Sequence, residues 1–136
     1  MRDMYHPLFQ KYHVDLVLSG HAHNYQRTYP LNYHEDRPGR PLILDHQHDQ
    51  YINQSGTVFA IVGTGGMSIH GADKKPYLAS IYEGYGCLNV QINDKSLNAE
   101  FYTDNGKTID HFTIVKNLEP NLGNVFHHVG YDSPLE

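Results

Sequence analysis

The apolar residues of this chain come in short runs, and each run ends at small, polar or turn-forming residues. Residues 57–62 (TVFAIV) end at Gly63, and residues 14–18 (VDLVL) end at Ser19 and Gly20. Runs this short, with many β-branched residues, are typical of strands rather than helices. We therefore expect two buried strands here, with residues 57–62 at the centre of a sheet.

Only residues 2–12 show the three- and four-residue spacing of apolar side chains that predicts a short helix, with Pro7 in its first turn. This helix precedes the first strand, an order typical of a layered α/β unit. Near the end of the chain, turn sequences separate three further alternating runs. They predict an antiparallel meander of strands at residues 85–92, 97–103 and 108–115.

Residues 24–56 contain several prolines and many polar side chains, and only residues 41–44 have strand character. Loops this long in compact domains are usually functional or disordered, so we expect the segment either to line the mouth of a site or to carry sequence variation between related proteins. Its His46 and His48 repeat a two-residue spacing without a preceding strand. They form either a surface metal site or, more simply, part of a solvated loop.

The end of the chain differs from the rest. Residues 1–116 form the predicted domain portion, whereas residues 117–136 form a tail that wraps around it or is partly disordered. The adjacent pair His127 and His128 is expected at the surface. The final Leu135 and Glu136 are either a cloning remnant or native sequence.

Length and charge exclude several classes of protein. The 136 residues allow one domain or a piece of a larger one, and a net charge of −5 without a basic cluster argues against nucleic acid as a partner. We expect no contact with a membrane, since no apolar run is long enough to span one. The first residues lack the pattern of a signal peptide, although a leader could precede them. The single cysteine, Cys87, excludes an internal disulfide and is expected to be a buried, unreactive thiol.

Two of the 11 histidines, His21 and His23, leave the end of a predicted strand two residues apart, directly after Gly20. Glycine lets the backbone turn there, and ligands of α/β sheets bind beyond the carboxyl ends of strands. In extended backbone such residues point to one side with Cα atoms about 6.5 Å apart. Each imidazole could then bind one of two metal ions about 3.5 to 4 Å apart. The alternative is two incidental histidines.

The residues near His21 and His23 each have a functional and a structural interpretation. Tyr25 and Arg27 continue the two-residue phase of the histidines, so they could orient the site, or Arg27 could form a structural ion pair. The glycine-rich residues 63–66 lack the Lys-Ser or Lys-Thr of a nucleotide-binding loop. A tight turn beside the histidines is the better interpretation.

The string LSGHAHNYQR at residues 18–27 closely resembles the last ligand motif of the calcineurin-like metallophosphoesterases. Its extension through Tyr25 and Arg27 is most similar to the purple acid phosphatase branch. Similarity runs from the first helix to Val115 and includes Tyr29, Pro30, Leu31, Lys107, Asp110 and Phe112. Gln26 departs from the pattern, since many relatives have Glu there. The resemblance implies an α/β fold: the C-terminal part of a four-layered α/β/β/α metallophosphoesterase sandwich, with an antiparallel β meander near the end.

The same resemblance implies two metal ions in the intact enzyme, iron plus zinc, manganese or iron. By position, His23 would bind the iron and His21 the second, divalent ion. Supporting roles would fall to Gly20, Asn24, Tyr25 and Arg27. The family's earlier Asp, Gly-Asp, Gly-Asn-His and further His motifs are not found in the sequence. A catalytic ion needs about three protein ligands, so we expect the fragment alone to be inactive.

For the intact protein the resemblance implies hydrolysis of a phosphomonoester of the acid phosphatase type, in an extracellular or periplasmic compartment. Both ions would stabilise the charge that develops during in-line attack on phosphorus. Two alternatives stay open. One is a non-catalytic binding module, or a homo-oligomer formed through surfaces that truncation would expose. The other is a mononuclear metal-binding protein that uses His21, His23 and a loop residue such as His46 or His48.

Overall fold

The computed structural model describes residues 2–117, which form one helix and ten strands. The elements are α1 (Arg2–Lys11), β1 (Leu16–Ser19), β2 (Tyr25–Thr28), β3 (Leu31–Asn32), β4 (Leu42–Ile43), β5 (Gln50–Ile52), β6 (Val58–Val62), β7 (Leu78–Tyr82), β8 (Gly86–Ile92), β9 (Ser96–Thr103) and β10 (Thr108–Val115). The predictions for the tail, for His127 and His128 and for the last two residues lie outside the described residues.

The first sheet has the strand order β1-β6-β2-β7. Strand β6 confirms the predicted central strand, since it pairs in parallel with β1 and antiparallel with β2, and its Val58 and Ala60 are fully buried. The prediction that the strand before Gly20 is buried is wrong. Within residues 2–117, β1 has β6 as its one neighbour, and Leu18 is 54% exposed. Composition predicts a strand, but its place in the sheet depends on distant partners.

Helix α1 packs on the outer face of the first sheet through His6 and Phe9. The Phe59 ring lies 4.8 Å from the His6 ring and 6.1 Å from the Phe9 ring, centroid to centroid. Pro7 lies in the helix interior rather than in its first turn, so that part of the prediction is wrong. Its ring has no amide hydrogen to donate, which weakens the helix locally. Several apolar side chains of the helix remain exposed: Met4, Tyr5 and Leu8.

The prediction of a loop over residues 24–56 is wrong, because β2, β3, β4 and β5 lie within it. Only the strand character at residues 41–44 is confirmed, by β4. Strand β2 lies between β6 and β7, although its sequence YQRT is mostly polar. Strand β7 had no counterpart in the predictions.

The second sheet has the order β5-β10-β9-β8 and contains the predicted meander. Strands β8, β9 and β10 pair antiparallel in succession, and β5 joins β10 in parallel. The core lies between the two sheets, with Val58 from the first and Tyr51, Ala99, Phe112 and Ile114 from the second. Neighbours along a strand face opposite ways. Val58 therefore faces this core while Phe59 faces α1, which gives the layer order helix, sheet, sheet.

Alternation along β8 also corrects the prediction for Cys87. Leu88 and Val90 pack against the core, whereas Cys87 and Asn89 point outward and are exposed. A strand with one covered face exposes every second residue, so the thiol is accessible. No helix in the described part of the chain is long and apolar enough to span a membrane.

Candidate metal-ligand site

The backbone between β1 and β2 bends sharply at the two candidate ligands. The Ala22 amide donates to the Gly20 carbonyl at 3.1 Å, and the Asn24 amide donates to the Ala22 carbonyl at 2.9 Å. His21 has φ 77°, in the left-handed region, where a residue with a side chain costs roughly 1–2 kcal/mol. The expectation of extended backbone through the His pair is therefore wrong. The strained conformation falls on His21 itself, whereas Gly20 does not show a positive φ.

His23 is half-buried and held at one edge of its ring. Its Nδ1 lies 3.0 Å from the carbonyl oxygen of Ser68. A carbonyl can only accept, so Nδ1 carries the hydrogen and Nε2 keeps a free lone pair, the form in which imidazole binds metal ions. One face of the ring stacks on His70, with centroids 4.5 Å apart and planes 28° from parallel. His21, by contrast, is exposed.

The glycine-rich residues 63–66 lie beside the His pair, as predicted. A Cβ atom on Gly63 would lie 1.9 Å from the Ala22 carbonyl oxygen and 3.2 Å from the His23 Cα. The Gly63 amide also donates to the Asn24 carbonyl at 3.1 Å. Only glycine lets the end of β6 approach residues 20–24, the candidate ligand segment, this closely.

Asn24 connects the ligand segment to the loop that follows residue 66. Its buried side-chain amide donates to the carbonyls of His70, at 3.2 Å, and Gly71, at 3.4 Å. Its side-chain oxygen accepts from Gln26 Nε2 at 2.9 Å. Asn24 thus contacts the same loop that contacts His23. The proposal that it supports the site rests on these contacts.

Tyr25 and Arg27 make their hydrogen bonds in the core rather than with the histidines. Tyr25 Oη donates to Asp110 Oδ2 at 2.6 Å, and Arg27 donates to both carboxylate oxygens, at 2.7 and 2.8 Å. Arg27 also donates to Tyr51 Oη at 2.8 Å and lies over the Phe112 ring. The structural ion pair, which the sequence left as one of two interpretations for Arg27, is present. It joins β2 of the first sheet to β10 of the second.

Burial and the charge of Asp110 together set the charge states of Tyr25 and Arg27. Burial raises the pKa of Tyr25, and the negative charge of Asp110 raises it further, so the phenol stays protonated and donates. For Arg27, burial alone would lower the pKa, but the hydrogen bonds to Asp110 and its charge outweigh burial and the pKa is raised. The guanidinium therefore remains charged inside the protein.

The loop histidines His46 and His48 both contact Tyr29. Tyr29 Oη lies 2.8 Å from His48 Nε2, and the Tyr29 ring lies 5.3 Å from that of His46. Among residues 2–117, no three His, Cys, Asp or Glu side chains come together as metal ligands. The mononuclear alternative therefore gains no third ligand from the described part of the chain.

No protein-family model matches this chain. Over 126 residues it is 31% identical to probable inactive purple acid phosphatase 1 of Arabidopsis thaliana. This alignment covers 89% of the chain and 19% of the Arabidopsis protein. Over 117 residues it is 32% identical to a nucleotide pyrophosphatase/phosphodiesterase of Hordeum vulgare, covering 83% of the chain and 30% of that protein. A solved purple acid phosphatase from yellow lupin (Lupinus luteus) seeds matches 84% of the chain with a TM-score of 0.70 and 25% identity.

The chain is related to the purple acid phosphatases. It matches their C-terminal region, which confirms the predicted α/β fold class, and it spans a fifth of the lupin chain. This family implies metal ions in general. The donor chemistry fits that implication in part, because His23 presents Nε2 and His21 is exposed, but two imidazoles are fewer than the three ligands an ion usually takes.

Three residues near or behind the site were not singled out for a role by sequence reasoning. Ser68 and His70 contact His23 from a loop 45 and 47 positions later in the chain, and Asp110 pairs with Arg27 from β10. The spacing of residues along one strand carries no signal for such partners. Asp110 was noted only as part of the shared ending.

Proposed function

We propose that the intact protein hydrolyses phosphomonoesters at a two-metal centre in which His21 and His23 are two of the ligands. The observation that carries the proposal is the orientation of His23, whose Nδ1 donates to the Ser68 carbonyl and so leaves Nε2 free. The strained backbone at His21 adds support, because such conformations cluster at functional sites. The remaining ligands would come from segments outside residues 2–117.

The roles of the two side chains differ in the proposal. His23 would hold iron and His21 the second ion, which is zinc, manganese or iron. When bound, the paired ions would supply polarisation of a phosphoryl oxygen and offset its developing negative charge. In this proposal the described residues contribute two ligands and hold their orientation. The 136 residues alone would be inactive, because two ligands are too few for a catalytic ion. As part of the same proposal, the protein acts in an extracellular or periplasmic compartment.

A second candidate is a non-catalytic binding module. Two relatives from Arabidopsis thaliana are named probable inactive purple acid phosphatases, at 31% and 29% identity to this chain. A protein of this kind could keep the fold and the His pair while a catalytic ligand elsewhere is lost. Metal content alone would not separate the candidates, so the test must include turnover.

The test uses the intact protein, with phosphate release from p-nitrophenyl phosphate and metal content as its two measurements. His21→Ala and His23→Ala are each expected to lower kcat/KM by more than about 100-fold, because ligands contribute at least as much as the groups that orient them. His46→Ala is the matched control and should keep full activity. Unchanged turnover in both ligand variants would defeat the proposal. Bound metal without turnover in the unsubstituted protein would favour the binding module.

A further inference from the structure

The loop at residues 68–71 holds the ring of His23 by its edge and by its face. The Ser68 carbonyl accepts a hydrogen bond from Nδ1 at 3.0 Å. The His70 ring stacks on one face of the imidazole, with the ring centroids 4.5 Å apart. The last side-chain torsion of histidine is broad when nothing restrains it. Here the hydrogen bond fixes which nitrogen is free, and the stacked ring fixes the plane in which that nitrogen points.

The loop is itself tied to the ligand segment. The His70 amide donates to the His23 carbonyl at 3.0 Å, and the Asn24 side chain donates to the carbonyls of His70 and Gly71. On its far side, the Ala72 amide donates to a Glu83 carboxylate oxygen at 2.8 Å. The bonds to His23 and Asn24 place Ser68 and His70 relative to the His23 ring, and the bond to Glu83 holds the far end of the loop.

We infer that the 68–71 loop is the positioning element of this metal site, with His70 as a positioning residue that acts through His23. This inference rests on the proposed function, because it takes Nε2 of His23 as a metal-binding atom. His70 acts by its stacked ring and not as a ligand.

The first experiment measures the affinity of the intact protein for Zn²⁺ by competition with a chelator. Zn²⁺ serves as the probe ion at the His23 position, since imidazole binds zinc as well as iron. His70→Ala is expected to weaken binding about tenfold, the lower end of effects seen when a group that orients a ligand is removed. His70→Phe should restore the affinity, since it keeps a stacked aromatic ring without a nitrogen. His111→Ala, which removes an exposed histidine from β10, should leave affinity unchanged. Unchanged affinity in His70→Ala would overturn the inference, and so would a His70→Phe protein as weak as His70→Ala.

The second experiment needs no metal and therefore separates this inference from the proposed function. Nitrogen NMR of ¹⁵N-histidine in the metal-free intact protein, at mildly alkaline pH where imidazoles are neutral, reports the tautomer of each ring. His23→Ala assigns the signal. The Nδ1–H form is expected for His23, and the Nε2–H form would overturn the inference. If His23 shows the Nδ1–H form but the protein binds no Zn²⁺, the proposed function is defeated. The hydrogen bond from His23 to the 68–71 loop would still be supported.

Discussion

Arg27 and Asp110 form a buried, two-point ion pair that joins the two sheets. Nε of Arg27 lies 2.7 Å from one carboxylate oxygen of Asp110, and Nη2 lies 2.8 Å from the other. Only 1% of the Arg27 side chain and 8% of the Asp110 side chain are exposed. Such bidentate pairs are strong and directional, so this contact sets how β2 sits against β10.

Removing one partner of this pair should strongly destabilise the protein. Asp110→Ala is expected to lower the free energy of unfolding by about 3–5 kcal/mol, because Arg27 would remain buried without its counter-charge. Urea denaturation of the intact protein measures the change. Asp73→Ala is the control: it removes an exposed ion pair with Lys75, 3.4 Å between charged atoms, and should cost less than about 1 kcal/mol. Equal effects of the two substitutions would contradict the structural role of Asp110.

The buried phenol of Tyr25 should make the protein sensitive to alkali. Burial raises the pKa of Tyr25, while tyrosine in an unfolded chain titrates near pH 10. Its contribution to stability is therefore complete below about pH 10. Above that value, stability falls by about 1.4 kcal/mol per pH unit, since the unfolded chain releases a proton that the folded protein holds. The pKa of Tyr51 is also raised by burial, which adds a change of the same sign.

Unfolding free energies at several pH values above neutrality test this dependence. Tyr25→Phe should make the fall of the unfolding free energy with pH, above about pH 10, shallower by about 1.4 kcal/mol per pH unit, the contribution of one proton. Tyr12→Phe changes a phenol that is 68% exposed and should leave the slope as it is. A slope in Tyr25→Phe equal to that of the unsubstituted protein would show that the phenol does not stay protonated in the folded state.

Gly63 should tolerate no side chain, whereas its neighbour Gly65 should. Gly63→Ala would place a methyl group 1.9 Å from the Ala22 carbonyl oxygen, so the backbone next to His23 must move. We expect a loss of about 1–3 kcal/mol in urea denaturation, together with weaker Zn²⁺ binding. Gly65→Ala meets nothing within 4 Å and should change neither quantity. Indistinguishable variants would argue against the close approach of β6 to the ligand segment.

Cys87 should react as an accessible thiol in the folded protein. It is exposed on the outer face of β8, so a thiol reagent such as Ellman's reagent should modify it without denaturant. The difference in modified thiols between the intact protein and its Cys87→Ser variant measures the reaction of Cys87 alone. Modification that begins only in urea would mean that another part of the protein covers this face.

Local patterns in the sequence were sufficient to predict the antiparallel meander and the candidate ligand segment. The strands β8, β9 and β10 pair with neighbours in the chain, across turns at residues 93–95 and 104–107, so alternation and turn residues predict both their positions and their direction. The string from Gly20 to His23 likewise predicts a candidate ligand segment, because the residues of this motif are adjacent in the chain. The resemblance through these residues also predicts the fold class, which the structure confirms.

The sequence alone determined which segments alternate, where turns separate them and which imidazoles stand together; only the tertiary structure decided what is buried and where the rings point. The polar strand β2 is interior because the charge of Arg27 is neutralised by Asp110, 83 positions later. The free nitrogen of His23 is set by the Ser68 carbonyl, 45 positions later. A hydrogen bond acts over about 3 Å of space and is indifferent to separation along the chain, so no local pattern reveals these partners.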